Sequence, residues 1–315
     1  MLADQGAAAS PVTAVVPPGA PPAIAAQVSL AVAAKASAEN FPVALRVLPR
    51  RYRAHLTALY GFARLVDDLG DEPLPGLPAD TPPERVTATR LHLLDQVEEQ
   101  VRQVYAPGGP EPELAVIREL KRTVDDCAVP AQPLYDLIQA NRQDQVVTRY
   151  ETYQELEEYC GLSANPVGRV VLAIVGAATP ERIAASDSVC TALQVIEHCQ
   201  DVAEDLANDR VYLPRRDMER FGVTEADLAQ PSAGEKVRSL LEFEAGRAAT
   251  QLDAGAPLVG TLKGWARLAI AGYVSGGRAT LKAIEAGRYD VLRSTPRPGK
   301  WDTLAMMAGC YVKGR

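Results

Sequence analysis

The period of the apolar residues constrains this chain more than any other feature. In residues 50–72, RRYRAHLTALYGFARLVDDLGDE, the positions His55, Leu56, Leu59, Tyr60, Ala63 and Val66 recur at intervals of three and four. That is the spacing of one face of an α-helix. Residues 82–106 repeat the pattern and open on two prolines, which a helix accepts in its first turn. Further helical patterns fall near 111–127, 131–146, 151–177, 181–208, 234–254, 257–286 and 300–311. The breaks carry turn chemistry: PLPGLPADTPP, APGGPEP, GAATP and RSTPRPGK. No alternating strand pattern and no fixed repeat accompanies them, so one all-α domain is expected.

With 315 residues the chain is long enough to bury a large core. Its 33 basic and 40 acidic residues give a net charge of −7, which argues against a nucleic-acid partner. An acidic protein still binds anions when divalent cations stand between. The five cysteines are scattered and form no CxxC pair, as expected of reduced thiols in a core. Residues 1–27 are rich in Ala and Pro and lack a basic start followed by an apolar run. They read as a disordered tail, not a secretory signal. No run of about 18 apolar residues is present, so no spanning helix is expected.

Two ladders of carboxylates carry the chemistry. Asp67 and Asp71 share one helix face, flanked by Asp68 and Glu72; Glu197, Asp201 and Asp205 form a second stripe. Like charges at this spacing destabilise a helix by a few tenths of a kcal/mol, and both ladders follow apolar stretches that turn them inward. Three readings compete. Solvated acidic faces are the ordinary one. Zinc is suggested by His198 and Cys199, but adjacent helical residues point about 100° apart, so Glu197, His198 and Cys199 cannot converge on one ion. Both then read as packing residues. Magnesium, held by one or two carboxylates per ion together with substrate phosphates, suits two facing ladders best.

LYGFARLVDDLGDE (59–72) and QDVAEDLANDRVYLP (200–214), with ENFPVALRVLPRRYR (39–53), YCGLSANPVGRVV (159–171) and YDVL (289–292) in the same order, resemble the squalene/phytoene synthases. The resemblance runs from about 36 to 302 and implies an isoprenoid-synthase fold with a central cavity, occupying residues 28–302. Residues 303–315 would be the end of the last helix and a tail. It further implies that Asp67, Asp71, Asp201 and Asp205 are catalytic and hold Mg²⁺, with Asp144 and Glu197 completing the ion sites. Arg64 would contact the diphosphate, and Tyr212 and Tyr289 would stand near it. Arg297 and Lys300 are further candidates for phosphate contact, a solvated basic turn being the alternative. Much of the family has Asn where this chain has Glu197.

NFPVA and YC…SANPVGR look most like the bacterial hydroxysqualene synthases of the squalene and hopanoid route, where relatives making phytoene carry VAGxVG. The activity implied is ionisation of presqualene diphosphate, rearrangement, and capture of the cation by water. The small-residue segments 170–178 and 268–284 would wall the cavity. The alternative is a synthase condensing two prenyl diphosphates into presqualene diphosphate, dehydrosqualene or phytoene. A scaffold would not need both ladders, and a head-to-tail elongating enzyme would show Arg-Arg soon after Asp71, which is absent. An apolar substrate implies a cytoplasmic protein touching the inner membrane face peripherally, beside partner enzymes of squalene synthesis.

Overall fold

The computed structural model describes residues 24–29, 31–32 and 49–315, the side chains of 300–302 excepted. Its long elements are helices: α1 (Arg50–Gly70), α2 (Pro83–Tyr105), α3 (Ala115–Cys127), α4 (Gln132–Gln143), α5 (Tyr153–Ser163), α6 (Asn165–Ile174) and α7 (Pro180–Gln200). These are followed by α8 (Val202–Ala207), α9 (Arg215–Phe221), α10 (Glu225–Leu228), α11 (Glu235–Gly255), α12 (Leu258–Thr261), α13 (Gly264–Ala286) and α14 (Lys300–Lys313). Among the described residues the strand-like pairing is a single parallel bridge, Arg149 to Val211. The expected all-α domain is therefore the one adopted.

The sequence explains where helices start. Thr152 accepts the Glu155 N–H at 3.2 Å ahead of α5, and Thr179 accepts the Arg182 N–H at 3.4 Å ahead of α7. Such caps stabilise a helix by about 1 kcal/mol each. Three expected segments are divided. Residues 151–177 break at Ala164, just before Pro166, which has no N–H with which to continue α5. Residues 181–208 break at Asp201, and 257–286 break at Leu262 and Lys263. The short α9 and α10 were not expected, because seven and four residues are too few for a period to register.

Apolar side chains gather in two clusters. The first joins α1 to α4 and α6 around Phe62, Leu65, Leu93, Ile117 and Leu134. The second joins α7, α11 and α13 around Val195, Ile196, Leu241, Leu252 and Val274. Helix α6 packs on both α1 and α7, so the C-terminal ends of α1 and α7 come together at the seam. Residues 24–29 and 31–32 are helical, and Ile24, Ala25, Val28 and Val32 are buried in the first cluster. The folded part thus reaches back at least to Ile24 rather than starting at 28; residues 1–23 of the expected tail lie outside the described residues. At the other end, 303–313 belong to α14, which packs along α13.

Close helix approaches rest on glycine. A Cβ on Gly255 would stand 2.6 Å from the Ala185 carbonyl oxygen and 2.9 Å from the Val189 nitrogen, backbone atoms of α7 that cannot rotate away. Gly246, exposed on the same α11, has nothing within 4 Å of that position. Gly255→Ala should cost about 1–3 kcal/mol by overpacking, whereas Gly246→Ala should stabilise by up to about 1 kcal/mol through helix propensity. Urea titration of the two variants checks this opposition of sign.

Candidate active site

Five chain segments, among them α5 with Tyr159 and Ser163, bring one polar pocket of about 360 Å³ to the seam. From α1 come Asp67 and Asp71; from the end of α4 come Asn141 and Asp144; from α7 and α8 come Gln194, Glu197, His198, Asp201 and Asp205. Arg210 and Tyr212 arrive on the segment after α8. The break at Asp201 does not scatter the second ladder. Asp201 N–H still bonds the Glu197 carbonyl at 3.0 Å and Asp205 N–H the Asp201 carbonyl at 2.8 Å, so the four-residue spacing runs through. On the opposite wall Asp71 N–H bonds the Asp67 carbonyl at 2.8 Å. Gly70 lets α4 come close here: a side chain at 70 would collide with the Asn141 amide.

The chain reverses after α8 at Asp209, which takes a left-handed conformation (φ 58°). Val211 N–H then bonds the Thr148 carbonyl at 2.9 Å, pinning this segment beside the end of α4. Arg210 is thereby aimed at Asp71, donating at 2.6 Å to Oδ1 and 3.3 Å to Oδ2. Asn141 donates to Asp67 at 3.2 Å, and Tyr159 donates to Asp144 at 2.9 Å. Tyr212 stacks on the His198 ring at 3.7 Å between centroids and lies beside Tyr150 and Tyr159. These contacts leave the Asp144 Oδ1 buried without a hydrogen-bond partner.

Six carboxylates surround the pocket against one lining arginine, and their acidities record the crowding. Burial pushes Asp144 and Asp205 up to about 7; Arg210 opposes both, while neighbouring carboxylates add to the rise. Asp67 and Glu197 are also raised, first by burial, and Glu197 is raised further by Asp67 on the facing wall. The ladders therefore act on one another. Asp67 and Glu197 are accessible from the pocket even though protein surrounds them. His198 is pushed down to about 3 by burial and by the Arg210 charge, so it stays neutral.

Most of the site expected from sequence converges here: Asp67, Asp71, Asp144, Glu197, Asp201, Asp205 and Tyr212 all line the pocket. Others do not. Arg64 is engaged by Asp68 at 2.6 Å and Glu72 at 3.3 Å, and only its charge reaches Asp67. Tyr289 borders a separate depression between α11 and α13 with Glu242 and Glu285, because α13 carries it away from the seam. Arg297 lies in a neighbouring basic cleft, close enough for its charge to oppose the burial that raises the Asp201 pKa. The Lys300 side chain lies outside the described residues. His198, expected only to pack, both packs and lines the pocket. Arg210 and Asn141 were not singled out from sequence; Arg210 stood in the quoted 200–214 segment, where a cation among acids was the available signal.

Among the described residues, no three His, Cys, Asp or Glu side chains close round one point. A zinc site needs three or four such ligands. Hard divalent cations that keep water and share substrate phosphates need only one or two carboxylates each. Paired carboxylates on two walls, and an orphaned Asp144 oxygen between them, fit that second kind of ion. On the apolar side, Tyr273 of α13 is 56 % exposed, yet burial raises its phenol and Cys190 of α7 acts on it.

Residues 34–302 match the sequence profile of squalene/phytoene synthase. The chain is 34% identical to a hydroxysqualene synthase of Rhodopseudomonas palustris, over 71% of this chain and 72% of that one. It is 27% identical to a phytoene synthase of Arthrospira platensis, over 88% and 90% of the two chains. The crystal structure of squalene synthase HpnC from Alicyclobacillus acidocaldarius superposes with a TM-score of 0.72 at 37% identity, covering 84% of this chain and 94% of that one. Enzymes of this kind act on prenyl diphosphates with the help of divalent metal ions. The chain belongs to the squalene/phytoene synthase family and is an isoprenoid diphosphate-processing enzyme.

Proposed function

We propose that the protein is a hydroxysqualene synthase, converting presqualene diphosphate and water into hydroxysqualene and diphosphate. The observation that carries this reading is the pair of carboxylate walls facing across one pocket, with a fixed arginine between them. The likeness to the R. palustris hydroxysqualene synthase and the SANPVG segment support this branch over its neighbours. Bound Mg²⁺ would neutralise the diphosphate and stabilise it as a leaving group.

The chain's own residues divide the remaining work. Asp67, Asp71, Asp144, Glu197, Asp201 and Asp205 hold the ions, and Arg210 and Arg297 contribute positive charge where the diphosphate departs. Burial raises the Tyr212 phenol, so it remains a neutral donor at the pocket wall. His198, neutral and stacked on Tyr212, places no second positive charge beside the developing cation. Leu137 and Ala140 supply apolar surface at the pocket. This reading places the enzyme in the cytoplasm beside the partner enzymes of squalene synthesis. The likeness to phytoene synthases favours a second reading, condensation of two prenyl diphosphates.

Incubation of the purified protein with Mg²⁺ and presqualene diphosphate should yield hydroxysqualene by mass spectrometry, and farnesyl or geranylgeranyl diphosphate alone should not react. Turnover of either prenyl diphosphate into presqualene diphosphate or a C30 or C40 hydrocarbon would establish the second reading instead.

Asp67→Asn and Asp201→Asn should each lower kcat at least about a hundredfold, the scale for losing a preorganised charge stabiliser. Neither should lower the melting temperature of the metal-free protein, because each relieves like-charge crowding.

The raised acids also set a pH dependence. A carboxyl whose folded pKa lies above its unfolded value binds its proton more tightly in the native state. Its stabilising effect is complete below about 4 and is lost as pH rises through about 7, the level of Asp144 and Asp205. The metal-free protein should therefore melt at lower temperature at pH 8 than at pH 5.5, and Mg²⁺ with diphosphate should reverse that trend. Differential scanning fluorimetry across this range reads both effects.

A further inference from the structure

We propose that the end of the molecule opposite the acidic pocket is a docking surface for an anionic lipid bilayer. Three segments distant in sequence meet there. Gly260 of α12 lies against Gly314. Arg267 of α13 donates to the backbone carbonyl of Tyr311 and stands 4.9 Å over its ring. Tyr52 of α1 lies 6.0 Å from Trp265 between ring centroids. Residues 49–57, 258–273 and 304–315 together carry seven basic residues and no acidic one, in a chain whose net charge is −7. Along α1, at about 1.5 Å per residue, Arg51 stands about 24 Å from Asp67. Along α1 the crowded carboxylates thus lie at one end and Arg50, Arg51 and Arg53 at the other, where Asp126 of α3 stands 4.0 Å from His55.

The same end exposes apolar side chains. From 303 to 312 the sequence of α14 contains no charged residue. Its Cys310 is buried against α13, while Leu304, Tyr311 and Val312 are 50%, 37% and 78% exposed. With Ala308, also exposed, they occupy positions i, i+4, i+7 and i+8, one stripe of a helix. A cavity of about 470 Å³ lies between the start of α1 and the start of α13, lined by Tyr52, Trp265, Arg51 and Lys263 among others. Glu181 stands next to Arg182 on the far side of that cavity and offsets it.

An uncharged helical stripe bordered by basic and aromatic residues is the composition of a segment lying flat in the headgroup region. Its apolar face enters the boundary with the acyl chains, and the cations meet anionic headgroups. Among the described residues no helix is long and apolar enough to cross a membrane, so contact through this face would be peripheral. Charge decides the occupant: a second copy would bring the same seven cations to face these, whereas an anionic bilayer complements them. The inference does not depend on which prenyl diphosphate the enzyme uses.

Co-sedimentation of the full chain with phosphatidylcholine vesicles, with and without phosphatidylglycerol, tests it. Binding should require phosphatidylglycerol and weaken as salt is raised. Arg51→Gln, Lys263→Gln and Lys313→Gln should each reduce vesicle affinity about fivefold, the effect of about 1 kcal/mol per basic residue near a charged surface. Val312→Ser, at a position too exposed to unsettle the fold, should also weaken binding, with turnover of a soluble substrate unchanged. Several outcomes would overturn the proposal: no sedimentation at low salt, equal binding to both vesicle types, or affinity unmoved by all four variants. So would a concentration-dependent dimer that Val312→Ser abolishes while vesicles remain unbound, which would make the face a contact between copies.

Discussion

Everything at the seam depends on holding carboxylates together against their mutual repulsion. Asp67 and Asp71 on one helix, and Glu197, Asp201 and Asp205 on another, are brought to one pocket by α6, which packs on both α1 and α7. Folding this arrangement without compensation is unfavourable, and the raised pKa values of Asp67, Asp144, Glu197, Asp201 and Asp205 express that cost. Two large apolar clusters, one on each side of the seam, supply the stability that lets the ends of α1 and α7 stay opposed. The strain is stored where cations and a diphosphate relieve it, which makes the binding of the charged substrate favourable at the place where chemistry is needed.

The compensation built into the chain is selective. Arg210 grips Asp71 with two hydrogen bonds, Asn141 holds Asp67, and Tyr159 holds Asp144. Each contact fixes a carboxylate's direction: Asn141 and Tyr159 each engage one oxygen, and Arg210 spans both oxygens of Asp71. The aromatic neighbours stay uncharged: His198 is pushed down to about 3, and the Tyr159 and Tyr212 phenols are raised by burial. The pocket thus combines concentrated negative charge with neutral, polarisable aromatic surface. That division suits a reaction in which a diphosphate leaves and a carbon skeleton carries the positive charge.

The fold was legible because helical periodicity is a local property, written into each stretch such as 50–72 and punctuated by proline and glycine. The two Asp ladders were legible for the same reason, since a four-residue spacing fixes a shared helix face. The break at Asp201 escaped notice, but backbone bonds at 197–201 and 201–205 preserve the spacing through it. What could not be read was tertiary. Arg210 reaches Asp71 only because a left-handed Asp209 and the bridge to residue 149 aim it there. Asn141 reaches Asp67 only because Gly70 admits α4. Tyr289 shows the converse: a tyrosine matched by motif sits on another face, since α13 directs it toward α11. Arg64 likewise is spent on Asp68 and Glu72.

The claim on which the account turns is that the two ladders form one cation-binding site for a prenyl diphosphate. Crystals of the protein grown with Mn²⁺ and an unreactive thiodiphosphate analogue, measured at the manganese absorption edge, test it directly. The account predicts anomalous peaks between the walls, coordinated by Asp67 or Asp71 on one side and Asp201 or Asp205 on the other, with the diphosphate bridging them beside Arg210. Manganese bound elsewhere, or a diphosphate seated outside this pocket with the ladders unliganded, would contradict it.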